Sequence, residues 1–242
     1  MKIRIKFSKQ GPVRFIGHLD VMRYFQKAVR RAGIDIRYSE GFSPHQIMSF
    51  AAPLSVGLVS NGEYMDIETH SAMPPGQMAD ALNACGAEGI RVLSCRVLKD
   101  SAKNAMSQVA AADYTFWFKE GRGPESAKER TDFYEEFCAF CARPVIEITK
   151  QAKKGEKTVD IKPFIYTVSR IENGVFMRLS AGSAANVKPE QALAAFYASK
   201  GMEYPPFAFQ IQREELYADA GNDGAHCFIP LEEYGTEGWE AS

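Results

Sequence analysis

The sequence predicts an α+β fold of two tandem split-βαβ units with antiparallel sheets. Two observations lead there. The order strand, helix, strand, strand, helix, strand occurs twice along the chain, and the hydrophobic period switches between two and about 3.6 residues where that order requires it. Length agrees, since 242 residues with 45% apolar content can bury two cores of modest size.

In the first unit, residues 1–98, Lys2, Arg4 and Lys6 alternate with Ile3, Ile5 and Phe7, the period of a half-buried strand. Over Asp20–Ala32 the period changes: Met22, Phe25, Val29 and Ala32 recur at three and four residues, Asp20 is the expected N-cap, and Gly33 can end the helix in the left-handed region. Extended segments follow at Gln46–Ala51 and Glu63–Thr69. Pro75 opens a second helix with Met78, Leu82 and Cys85 on one face, Gly86 closes it, and Ile90–Val97 supplies a fourth strand.

A polar connection, Lys99–Gln108, leads into the second unit, residues 109–217, where Tyr114, Phe116 and Phe118 alternate. A helix over Glu125–Cys141 stacks Phe133, Phe137 and Phe140 and is stopped by Pro144. Strands are expected at Val145–Thr149, Thr158–Lys162, Ile165–Ile171 and Val175–Ser180, with turns at 153–156 and 172–174. Pro189 starts a helix through Leu193, Phe196 and Tyr197, and Phe207, Phe209 and Ile211 close the unit. Both units are thus ferredoxin-like, the second with an extra hairpin. Residues 218–242 are Gly-rich and acidic, the composition of a flexible tail.

Charge is distributed unevenly. Residues 1–50 carry ten Lys/Arg against three Asp/Glu, a net of +7, whereas 201–242 carry one against nine, a net of −8. On the first helix, Arg23, Lys27 and Arg30 recur on one side with Arg31, opposite the apolar stripe. An ordinary solvated helix back has the same pattern as a phosphate-binding stripe. Lys2, Arg4 and Lys6 share the strand face that helices leave open in a ferredoxin-like sheet, which suits an RNA backbone. Equally, Tyr64, Asp66 and Glu68 on the adjacent strand can place carboxylates across from these cations. His18, just before the helix, and His45, after a Gly-Phe-Ser-Pro turn, are expected on loops of this unit, where either can cap its loop, bind phosphate or move a proton. The predicted anion contacts are therefore Lys2, Arg4, Lys6, Arg14, His18, Arg23, Lys27, Arg30, Arg31 and His45.

Other chemistries find little support. Cys138 and Cys141 have CxxC spacing, but they lie in the helical segment FYEEFCAFC with no second ligand pair, so buried core cysteines are expected and no metal site or cofactor is assigned. The chain has no CxxxCxxC, P-loop, GxGxxG or GxSxG motif. Five cysteines without framework spacing fit a reducing compartment, and no apolar run reaches membrane-spanning length, so a cytoplasmic protein is expected.

The segments from Val13 to Glu68, VDIKPFIYTV, GSAANVKPE and IQREELY resemble the bacterial radical-SAM-associated domain of unknown function, across about Lys2–Tyr217. The resemblance implies joint action with a radical SAM protein, to which any radical chemistry would belong. A more distant resemblance, carried by the tandem units and by His18 near the first helix, is to the CRISPR repeat-processing endoribonucleases. Their Gly-rich loop near the C-terminus has no clear counterpart, since the Gly-Asn-Asp-Gly at 221–224 is acidic and too late. The expectation is an RNA-binding or substrate-presenting accessory to a radical SAM enzyme, without a catalytic residue of its own. The alternatives are a metal-independent endoribonuclease using His18 and His45, and a protein-interaction module whose basic face docks an acidic partner.

Overall fold

The computed structural model describes residues 1–71, 73–152, 155–183, 185–222 and 224–238. The chain divides into two compact units, Met1–Ala110 with Glu215–Ser242, and Ala111–Glu214.

In the first unit, β1 (Lys2–Lys9) places Ile3, Ile5 and Phe7 on one face, all three buried in the core. Helix α1 (His18–Arg31) meets them with Val21, Phe25, Ala28 and Val29, and the Phe7 and Phe25 rings stand edge to face, centroids 4.6 Å apart. Strands β2 (Met48–Phe50) and β3 (Val59–Glu68), helix α2 (Pro75–Ala84) and strand β4 (Ile90–Leu98) complete the set. β1 pairs antiparallel with β3 and β4, and β2 pairs antiparallel with β3, giving the ferredoxin-like order β4-β1-β3-β2. A single turn, α3 (Ala105–Gln108), follows, capped by the Asn104 side chain.

Two local readings of the sequence change here. The N-cap of α1 is Gly17, whose extended backbone offers its carbonyl to the amides of Asp20 and Val21. His18 is therefore the first helical residue and not a loop residue. Asp20 stands in the first turn, where a carboxylate suits the positive helix end, and it pairs with Arg23 at 3.4 Å. The extended run at Gln46–Ala51 contracts to the three residues of β2, with Gln46 held in an isolated bridge to Tyr38.

The second unit contains β5 (Val109–Phe118), α4 (Ala127–Cys141), β6 (Glu147–Ala152), β7 (Gly155–Asp160), β8 (Ile165–Ile171), β9 (Gly174–Ser180), α5 (Pro189–Ser199) and β10 (Phe209–Asp219), which runs through the unit boundary. Its sheet order is β10-β5-β9-β8, again ferredoxin-like, and β6 and β7 form the extra hairpin. Lys153 and Lys154 of the expected turn lie outside the described residues. Ser126 and Glu129 form a capping box at the start of α4. Phe116 packs edge-on against Phe137 and Phe209, at 5.1 and 5.6 Å, at the centre of an aromatic core. Gly174 lets β9 approach β5: a Cβ there would lie 2.3 Å from the Phe116 carbonyl oxygen.

The segment after residue 218 departs most from expectation. β10 continues to Asp219, β11 (Phe228–Pro230) pairs with it, Leu231 is buried in a short 3-10 turn, and β12 (Gly235–Thr236) pairs with the end of β4. Acidic composition suggested a loose tail, but Glu232 is used inside the first unit as a partner for Lys6 and Ser94. Asp223 and residues 239–242 lie outside the described residues. Among the described residues, no helix is long and apolar enough to cross a membrane.

Candidate functional site

The polar face of β1 is closed. Arg4 has a side chain that is 0% exposed; its Nε and Nη2 donate to the two carboxylate oxygens of Asp66 at 2.8 and 3.0 Å. Its remaining N–H groups donate to the Leu231 carbonyl at 2.9 Å, the Gln108 side chain at 2.8 Å and the Lys103 carbonyl at 3.3 Å. Arg4 and Asp66 are register partners, the cross-strand arrangement the sequence allowed as its second reading. Lys6 donates to Glu215 and Glu232, both at 2.6 Å, and its ammonium lies 5.7 Å from the Tyr64 ring centroid. Burial works to lower the Lys6 pKa, but the hydrogen bonds and charges of the two glutamates outweigh it and hold the ammonium above its ordinary value. Tyr64 donates to Glu215 at 2.6 Å, and burial, with that carboxylate's charge, pushes its hydroxyl above the usual range. Lys2 donates to the Asp100 carbonyl at 2.7 Å. Arg4 and Lys6 are therefore corrected from anion contacts to internal partners of Asp66, Glu215 and Glu232, and the chain itself covers this end of the sheet.

The cations of α1 have a different setting. Arg23, Lys27, Arg30 and Arg31 are all exposed. Their bonds are these: Arg23 with Asp20, Arg30 Nε to the Gln26 carbonyl at 3.2 Å, and Arg31 to the carbonyl of Cys85 at the end of α2 at 3.0 Å. Such surface contacts are weak and exchange readily with a competing anion. Val21, Phe25, Ala28 and Val29 turn inward, which fixes Arg23, Lys27 and Arg30 outward as one stripe.

Loops flank α1, one at its start and one anchored at Gln26 in its middle. A 3-10 turn, Gly11–Phe15, precedes it, and the Arg14 guanidinium lies 4.8 Å from the centroid of the exposed Phe15 ring. The Arg14 carbonyl accepts from the Gly57 amide at 2.8 Å, bringing the turn that carries exposed Val56 alongside. Gln46 donates to the Gln26 carbonyl at 3.2 Å and so anchors the 38–46 loop to the helix. His45 closes that loop: its Nδ1 meets the Ser39 hydroxyl at 2.8 Å. Phe42 sits at the tip, fully exposed. Sequence reasoning missed Phe15, Leu19, Phe42 and Val56 as surface residues. The signal was available for Phe42, since a Phe between Gly41 and Ser43-Pro44 belongs to no strand or helix period.

His18 does not join His45. Its ring stands edge-on to Phe50, centroids 5.1 Å apart, and lines a cavity of about 20 Å³ with Lys9, Glu63 and apolar neighbours, room for about one water. Lys9 and Glu63 are both buried, and Lys9 donates to the Ile16 carbonyl at 3.0 Å. Cys141 is buried, which pushes its thiol up to about 12; burial also raises Cys138. Among the described residues, no three His, Cys, Asp or Glu side chains converge in a metal-ligating group.

Fold and surface together define a tandem ferredoxin-like protein that carries a stripe of exposed cations on α1 of the first unit. The chain belongs to the bacterial family described as "Uncharacterized protein conserved in bacteria (DUF2344)", which it matches over residues 2–189. No curated protein matches it. Among solved structures, a chain of one described as "Crystal Structure of a Cbf5-Nop10-Gar1 Complex" is similar at 10% identity and a TM-score of 0.43, over 88% of this chain and 48% of that one. This protein thus spans about half the length of the solved chain it matches.

Proposed function

We propose that this protein is an RNA-binding accessory that presents substrate to a radical SAM enzyme, with the first unit supplying the phosphate contacts. The observation that carries the RNA half is the exposed Arg23, Lys27 and Arg30 stripe, which keeps its charge available while Arg4 and Lys6 are committed to internal carboxylates. The radical SAM half rests on the resemblance of Val13–Glu68 and the later segments to the radical-SAM-associated domain. Binding is favoured over cleavage because each histidine has its own local role, His18 against Phe50 and His45 with Ser39.

The test is filter binding of cellular small RNA across a salt series, with the parent and an R23Q/K27Q/R30Q variant. Each lost phosphate contact lowers the slope of log affinity against log salt by roughly 0.7–0.9, so the triple variant is expected to lose about two units of slope while staying folded. Identical affinity at every salt concentration would leave the stripe a solvated helix back. Immunoprecipitation from bacterial cells tests the partner: a radical SAM protein recovered in near-stoichiometric amount supports that half, and its consistent absence rejects it.

A further inference from the structure

We infer that the loops flanking α1 form a stacking platform for unpaired RNA bases, with the Phe42 and Phe15 rings as base-contacting faces and Arg14, Arg23 and Lys27 on the backbone. The inference rests on the RNA-binding reading above and adds the strandedness of the substrate.

A phenylalanine left in water forgoes about 1.5–3 kcal/mol relative to burial, and Phe42 is held there by construction. Its loop is closed at the base by three hydrogen bonds between Ser39 and His45: amide to carbonyl at 2.8 Å, hydroxyl to Nδ1 at 2.8 Å, and amide to hydroxyl at 3.1 Å. Gly41, at φ 111°, supplies a backbone angle that other residues rarely adopt. A ring displayed on a closed loop suits a partner better than a collapsed core does.

Phe15 lies beside Arg14, and exposed Leu19 lies one helical turn from Arg23. An apolar protein-docking patch would gather its rings together and keep cations at the rim. Here Phe15 and Leu19 each neighbour a cation, the adjacency by which single-stranded nucleic acid is held, with bases on rings and phosphates on charges. Base faces inside an A-form duplex are stacked on one another and unavailable to a ring.

Fluorescence anisotropy decides the matter with two fluorescein-labelled probes, a mixed-sequence single-stranded RNA without self-complementarity and a blunt RNA duplex. The proteins are the parent, Phe42→Ala, Phe42→Trp and Phe15→Ala, with circular dichroism confirming the fold. The parent is expected to prefer the single strand. Phe42→Ala should weaken single-strand binding on the order of tenfold without changing its salt slope, and Phe42→Trp should retain it. If RNA binds but the duplex is preferred, or Phe42→Ala and Phe15→Ala both bind as the parent does, the platform is overturned while RNA binding stands. If neither probe binds at low salt, both readings fall. A photoreactive residue at position 42 that crosslinks in cells to protein and not to RNA also overturns the platform.

Discussion

Replacing Asp66 by Ala removes the carboxylate from a pair in which the Arg4 side chain is 0% and the Asp66 side chain 12% exposed. Breaking such a buried pair from one side costs about 3–5 kcal/mol, because an uncompensated charge is left behind. The lower end applies here. Arg4 keeps the Leu231 and Lys103 carbonyls and the Gln108 side chain as acceptors, which solvate part of its charge. The variant also loses the 2.7 Å bond from the Ala105 amide to Asp66, which ties α3 to the sheet. About 3 kcal/mol is therefore expected, a large share of an ordinary 5–15 kcal/mol. Hydrogen exchange read by mass spectrometry is the assay, because it reports on the first unit directly. Amides of β1 and β3 that exchange only by opening of the unit should exchange about a hundredfold faster. An Arg4→Met/Asp66→Leu double variant removes both charges and should recover most of the loss. Exchange in Asp66→Ala within a few-fold of the parent, or a double variant no more protected than the single one, would refute the assignment of this pair as the unit's central polar contact.

The C-terminal segment should be anchored in a pH-dependent way. Burial works to raise the Glu232 carboxyl, but hydrogen bonds from Lys6 and Ser94 and the charges of Lys6 and Arg96 outweigh it and hold it below the ordinary range. Its stabilising contribution is therefore present above the ordinary glutamate value of about 4.3 and lost as pH falls through the lowered folded value. Limited acid proteolysis should release β11 and β12 below about pH 4, and Glu232→Gln should release them already at neutral pH. Equal resistance of parent and variant at neutral pH would contradict this anchoring. The thiols should also separate by reactivity: Cys227 is exposed, whereas burial pushes Cys95 and Cys141 up to about 12. Timed alkylation of the native protein at mildly basic pH, followed by peptide mapping, should label Cys227 first and Cys95 and Cys141 only on unfolding.

The framework was legible because its signals are local. Ile3, Ile5 and Phe7 alternate whatever they pack against, and the Phe residues of α4 fall on one helical face, so both split-βαβ orders could be read from period alone. The start of α1 was misread because Asp is a strong N-cap type, whereas Gly17 caps through its backbone and leaves no side-chain signal. The acidic segment was misread for a different reason. Lys6 and Glu232 lie 226 positions apart, and nothing in a window of sequence connects them. A charged residue's role depends on which charge the fold places opposite it, which neither composition nor period records.

The two central strand pairs sharpen that point. In the first unit Arg4 on β1 faces Asp66 on β3; in the second Asp113 on β5 faces Arg178 on β9, again through two hydrogen bonds, at 2.7 and 2.8 Å. The ferredoxin-like order makes β5 and β9 the counterparts of β1 and β3, so both units carry an Arg–Asp bridge between equivalent strands with the signs exchanged. What recurs is the pairing, and the sign on either strand is free to differ. A buried cation on the first strand is therefore poor evidence of an anion-binding sheet face. Arg23, Lys27 and Arg30, exposed on α1, take part in no such cross-strand bridge, and the proposed RNA contact rests on them and not on β1.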